Sequence, residues 1–154
     1  MTTTPLGQPA PAFALETEDG PVTLADYAGR TLVLYFYPKD DTSGCTTEAK
    51  SFRDAFADFQ AAGIDILGVS RDSVASHVKF RTKHELPFRL GSDSTGAVTE
   101  AYAVWKEKSM YGRTYFGIER STFLIGPDGT LKAEWRKVKV PGHAAAVLKA
   151  ATAG

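Results

Sequence analysis

Apolar residues in this chain come in short dense runs, and helical patterns lie between them. Leu32 to Phe36 is apolar without a break, and it is too short and too rich in β-branched and aromatic residues for a full helix. It predicts a buried strand, and Ile64 to Val69 predicts a second. Between them Ala49, Phe52, Phe56 and Phe59 recur at spacings of three and four. That period predicts a helix with one aromatic stripe against a sheet, stopped near Gly63. Asp72 or Ser73 can cap a helix from Val74 to His84. Val22 to Leu24 and Phe88 to Leu90 read as short strands, Ala25 to Tyr27 as a turn of helix, and Thr95 to Tyr102 as a short helix. Residues 105–117 are polar, aromatic and glycine-containing, which predicts a long functional loop. Ser121 to Ile125 and Leu131 to Trp135 flank Pro127-Asp128-Gly129, a hairpin turn. Ala144 to Ala151 closes the chain as an alanine-rich helix. The order predicts an α/β layered domain with a mixed sheet.

At 154 residues the chain reads as a single domain, 1–154, with residues 1–12 a loose or extended N-terminal segment. Lysine plus arginine equals aspartate plus glutamate, 18 each, so no dominant charge marks it for nucleic acid or a membrane surface. The N-terminus lacks the basic and apolar regions of a signal peptide. With one cysteine there is no intrachain disulfide, which fits a reducing, cytoplasmic setting. His77, His84 and His143 show no metal-ligand spacing, so surface or core roles are expected and no metal. Arg136-Lys137-Val138-Lys139 alternates like a half-exposed strand with a solvated face.

Cys45, the only cysteine, falls between the first buried strand and the aromatic-striped helix. The thiol therefore sits in the first turn of a helix. There unpaired backbone N–H groups and the helix dipole favour negative charge, and the thiolate is the nucleophile. Without context a lone cysteine is more often a small buried apolar residue. Pro38, Thr42 and Cys45 change that reading, because they reproduce the Pro-x-x-x-Thr-x-x-Cys signature of the peroxiredoxins. The surrounding Tyr37-Pro38-Lys39-Asp40 and Gly44-Cys45-Thr46-Thr47-Glu48 resemble the bacterioferritin-comigratory-protein branch, also called PrxQ. The resemblance runs nearly end to end, through Gly68-Val69-Ser70, Met110-Tyr111-Gly112, Arg120 to Ile125 and Trp135 to Val138.

The resemblance implies a thioredoxin-like fold, with a central mixed β-sheet flanked by helices and an N-terminal β extension. It implies a thiol-dependent peroxidase that needs no cofactor. Cys45 would be the nucleophile, with Thr42 and Arg120 catalytic beside it. Pro38, Gly44 and Glu48 would contribute to peroxide binding, Pro38 by closing over the sulfur and Glu48 by orienting Arg120. Donors aimed at the departing oxygen must carry most of the acceleration, because a lower thiol pKa also weakens the nucleophile. Taken singly, Thr42 and Ser43 can be helix caps, Glu48 an ordinary first-turn carboxylate, and Arg120 an ion-pair residue. The chain departs from its branch at both resolving-cysteine positions, which are Lys50 and Arg81 here, and Ser43 replaces the usual proline. It therefore resembles a one-cysteine version whose sulfenic acid must be resolved by an external thiol: thioredoxin, or glutaredoxin with glutathione. A monomer is expected. The alternatives are a redox sensor or holdase with negligible turnover, and an inert thioredoxin-fold binding module.

Overall fold

The structure, a computed structural model, describes residues 4–153. A hairpin of β1 (Ala14–Thr17) and β2 (Gly20–Thr23) opens the fold, followed by a 3₁₀ turn at Leu24–Tyr27. Then come β3 (Thr31–Phe36), α1 (Ser43–Ala61), β4 (Ile64–Ser70), α2 (Val74–Lys83), β5 (Arg89–Ser92) and α3 (Ala97–Ala101). A second hairpin, β6 (Trp105–Met110) and β7 (Arg113–Ile118), precedes β8 (Ser121–Ile125), β9 (Leu131–Trp135) and α4 (His143–Thr152). Seven strands form one sheet in the order β2-β1-β5-β4-β3-β8-β9. β3, β4 and β5 run parallel, and the flanking strands are antiparallel, so the sheet is mixed as expected.

Alternation along β3 divides the core between the two sheet faces. Leu32, Leu34 and Phe36 join Leu67, Val69, Phe123 and Ile125 on one face. Val33, Tyr35 and Tyr37 face the other way, where Cys45, Ala49, Phe52 and Phe59 of α1 pack with Phe80 of α2 and Val147 of α4. The aromatic stripe is thus core, although Phe56 is only partly buried. Tyr35 stacks on Phe52 with ring centroids 4.7 Å apart. Its ring fits because its cross-strand partner is Gly68, where a β-carbon would stand 2.8 Å from the tyrosine hydroxyl.

Several elements differ from expectation. The described part of the N-terminal segment is not loose: it turns at Pro5–Gln8 and then bridges from Pro9 to Thr130. Gly7 and Ala10 donate to Leu131 O and Gly129 O, and Ala10 and Phe13 are buried. Residues 1–3 lie outside the described residues. The loop expected over 105–117 is the β6–β7 hairpin, paired from Trp105 with Ile118 to Met110 with Arg113. Tyr111 and Gly112 make its two-residue turn, both at positive φ, +52° and +76°. That is the backbone of a type I′ turn, whose twist matches the strands it joins. The hairpin stands apart from the main sheet and is polar on much of its surface, so it lacks the apolar alternation that marks a strand. The strand expected at Phe88–Leu90 lies one to two residues later, and the one expected at Val22–Leu24 ends at Thr23. Arg136 is not on a solvated strand face. β9 ends at Trp135, and the Arg136 guanidinium donates to Ala103 O (3.0 Å) and Tyr102 O (3.1 Å) while lying over the Phe123 ring. No helix among the described residues is long and apolar enough to cross a membrane.

Candidate active site

β3 delivers the chain to Tyr37, a short loop follows, and α1 begins at Ser43 with Thr42 as its N-cap residue. The first helical bond at this end runs from Thr46 N–H to Thr42 O. The N–H groups of Ser43, Gly44 and Cys45 precede that bonding, and the positive end of the helix dipole lies there. Cys45, as expected, is in this first turn, and its side chain is 1% exposed. Only a small molecule or a local opening can reach the sulfur.

Arg120 arrives from the residue before β8. Its Nη2 lies 3.4 Å from Cys45 Sγ, and its Nη1 donates to Glu48 Oε1 at 2.7 Å. One guanidinium thus holds the sulfur and a buried carboxylate together, in the forked geometry that suits arginine. Gly44 leaves the room for this approach, since a β-carbon there would stand 3.1 Å from Nη2. Burial pushes the Glu48 carboxyl up from 4.5 to about 7, and Arg120 pulls it back only in part. Its Oε2 and the Tyr35 hydroxyl are buried with no hydrogen-bond partner among the described residues. Burial, followed by the charges of Glu48 and Cys45, drives the Tyr35 phenol well above its ordinary value, so it keeps its proton beside the site.

The structure brings Cys45, Arg120, Glu48 and Gly44 together. Thr42 is exposed, and its hydroxyl donates to Lys39 O at 3.0 Å rather than capping the helix. Pro38 is half-buried in the same loop. Of the two candidate caps for α2, Ser73 is the one used, its hydroxyl accepting from Ser76 N–H.

Sequence reasoning missed three neighbours. Lys108 of β6 donates to Ile118 O, and its ammonium is lowered by burial and by Arg120, with Cys45 acting the other way. His143 is buried with Nε2 2.7 Å from the Thr122 hydroxyl, and its ring is lowered from 6.5 to about 4 by burial and then by the charge of Arg120. Tyr35 carried a signal of a kind, as a polar-tipped residue in an otherwise apolar run. His77, unmarked by spacing, meets Asp40 and Asp72 with one potential ligand atom of each within 4.8 Å of the others. Those groups are all engaged in hydrogen bonds within the protein.

A cysteine at a helix start, clasped by an arginine on a thioredoxin-like sheet, is the arrangement of a thiol-dependent peroxidase. Residues 6–134 match the AhpC/TSA family, and the chain belongs to it. The match narrows to the Bcp, or PrxQ, branch of the peroxiredoxins. Peroxiredoxin Bcp of Bacillus subtilis is 52% identical over 145 residues, covering 94% of this chain and 92% of that one. Peroxiredoxin Bcp of Xanthomonas campestris is 51% identical over 153 residues, covering 97% and 96%. A structure of the Xanthomonas bacterioferritin comigratory protein, studied for alkyl peroxide reduction, has a TM-score of 0.90 at 49% identity, over 97% of this chain and 98% of that one. A mutant of Xylella fastidiosa PrxQ reaches 0.93 at 43% identity, over 99% and 98%.

Proposed function

We propose that this chain, as a single-domain monomer, reduces hydrogen peroxide and organic hydroperoxides through Cys45 and is regenerated by an external thiol. The thiolate attacks the terminal peroxide oxygen, an S–O bond forms and the O–O bond breaks. Cys45 becomes the sulfenic acid, and the departing oxide takes a proton to leave as water or alcohol. Arg120 holds the sulfur and the reacting oxygen, and Glu48 holds Arg120. The N–H groups of Gly44 and Cys45 are donors for the charge that develops, Thr42 accepts the peroxide O–H, and Pro38 keeps water from the sulfur. The observation that carries this reading is Cys45 Sγ in the first turn of α1, 3.4 Å from Arg120 Nη2, in a chain with no second cysteine.

An incoming thiol displaces water from the sulfenic acid, and a second thiol releases Cys45 from the mixed disulfide. Thioredoxin, or glutaredoxin with glutathione, supplies such thiols in the cytoplasm, where this reading places the protein. No nucleic acid, membrane or cofactor takes part. The test is peroxide consumption with excess reductant. Wild type should turn over many times. Cys45→Ser should fold and consume nothing, since a hydroxyl there does not ionise at neutral pH. A single stoichiometric oxidation of wild type would make it a sensor, and activity in the folded serine variant would remove Cys45 from the reaction.

A further inference from the structure

The loop between β3 and α1 carries Pro38 and Thr42, and a buried polar network fixes it. Asp40 sits in the middle of that loop with a nearly buried side chain. Its Oδ1 accepts from the Tyr37 hydroxyl, and its Oδ2 accepts from Ser76 Oγ at 2.7 Å. Nδ1 of His77, itself 3% exposed, lies 2.7 Å from the same Oδ2. The other ring nitrogen, Nε2, faces Gly91 O at 3.1 Å. A carbonyl can only accept, so Nε2 carries a hydrogen. Nδ1 is within hydrogen-bond distance of that carboxylate oxygen and lies 3.3 Å from the Tyr37 hydroxyl. The Asp40 backbone N–H donates to Asp72 Oδ2 at 2.8 Å, and Asp72 Oδ2 also accepts from Ser70 Oγ at 2.6 Å.

We infer that the buried Asp40–His77 pair is a positioning device for the peroxide reaction, setting where the Thr42 hydroxyl and the first N–H groups of α1 stand relative to Cys45. The inference rests on the reading of Thr42 and Cys45 given above. Two links join the pair to the site. Asp40 is two residues from Thr42, and the Thr42 hydroxyl bonds to Lys39 O, the carbonyl of the peptide whose N–H is the one Asp72 holds. Moving Asp40 therefore moves the acceptor that orients Thr42. A buried polar network is a weak source of stability compared with apolar packing, but it fixes one geometry. Asp41 adds strain to the same segment at φ +61°, and its exposed contacts to Lys83 and His84 are too weakly held to set the loop alone.

The test compares two reactions of Cys45 in each variant: its second-order rate with hydrogen peroxide and its alkylation by iodoacetamide. Both need the thiolate, but only the first uses donors and acceptors arranged around two oxygens. His77→Gln keeps an amide near the Nε2 position and loses the bond to Asp40. It should slow the peroxide reaction about tenfold and leave alkylation within about twofold. His77→Asn puts an amide donor near the Nδ1 position and should restore the peroxide rate to within about threefold of wild type. A loss of packing alone would not separate the two reactions, nor favour asparagine over glutamine. If His77→Gln fails to fold, Ser76→Ala removes a second donor from the same oxygen and should lower the same ratio. An unchanged ratio in the folded variants, or asparagine no better than glutamine, overturns the inference. Thr42→Val separates the two readings. A lowered ratio there with an unchanged one in His77→Gln defeats the positioning role alone, whereas an unchanged ratio in Thr42→Val defeats the site reading on which it rests.

Discussion

Arg120 meets the Cys45 sulfur and the Glu48 carboxyl at once, and its neighbours give the protein a pH dependence with opposing parts. Glu48 has a folded value near 7 against an ordinary 4.5, so between those values the folded state binds more protons than the unfolded chain. Its contribution is full below about 4.5 and is lost as pH rises through 7. His143 has a folded value near 4 against 6.5, so its contribution is present above 6.5 and lost as pH falls through 4. Across their shared range the two slopes oppose each other. Glu48→Gln removes the falling part and leaves the rising one. Denaturant unfolding from pH 4 to 7 should show a flatter profile in wild type and stability climbing with pH in Glu48→Gln. A profile unchanged by the substitution would mean that Glu48 does not titrate in that range.

The start of α1 is the element on which the proposed chemistry turns, and it was also the most legible part of the sequence. The apolar run of β3, the spacing of Pro38, Thr42 and Cys45, and the aromatic stripe all point to one strand-to-helix junction, and Cys45 is there. The contact between Glu48 and Arg120 was readable only through resemblance, because nothing local brings together residues 72 apart. The β6–β7 hairpin was not readable, since it pairs only with itself and is largely exposed beyond Trp105 and Ile118, so burial imprints no period of two along it. The Asp40–His77 pair was hidden for a similar reason: two polar residues that satisfy each other in the interior look like surface residues in sequence. The same helix start governs the fate of oxidised Cys45. Lys50 is exposed and five residues further along α1, a rise of about 7.5 Å, beyond the ~6.8 Å Cα separation a disulfide tolerates. A Lys50→Cys variant should therefore close a disulfide only as the first turn unwinds. Intact mass would show the loss of two hydrogens, and circular dichroism the loss of some helix. A disulfide formed with helix content unchanged would contradict this. In wild type without thiol, excess peroxide should carry Cys45 on to sulfinic acid. A dominant Cys45–Cys45 dimer on a non-reducing gel would show that a second subunit resolves it.

For the whole molecule, the sheet is a frame that joins distant parts of the chain. β3 lies between β4 and β8, so the strand that launches the cysteine pairs directly with the strand that follows the arginine. The hairpin tip is different. Tyr111 is 97% exposed in a two-residue turn, flanked by exposed Met110 and Arg113. Such a tip is an early target for proteases that cut after aromatic residues. Brief chymotrypsin treatment should cut after Tyr111 first, giving pieces 1–111 and 112–154 that separate on a denaturing gel and co-elute on a sizing column. Prompt separation of the pieces on the column would mean that the ladders β8 makes with β3 cannot hold them. If they stay together, Cys45 and Glu48 belong to one polypeptide and Arg120 to another. Each half alone would be inert, and the active site would become a complex that obeys mass action. Its peroxidase activity would then fade on dilution and return on mixing, as in a split enzyme.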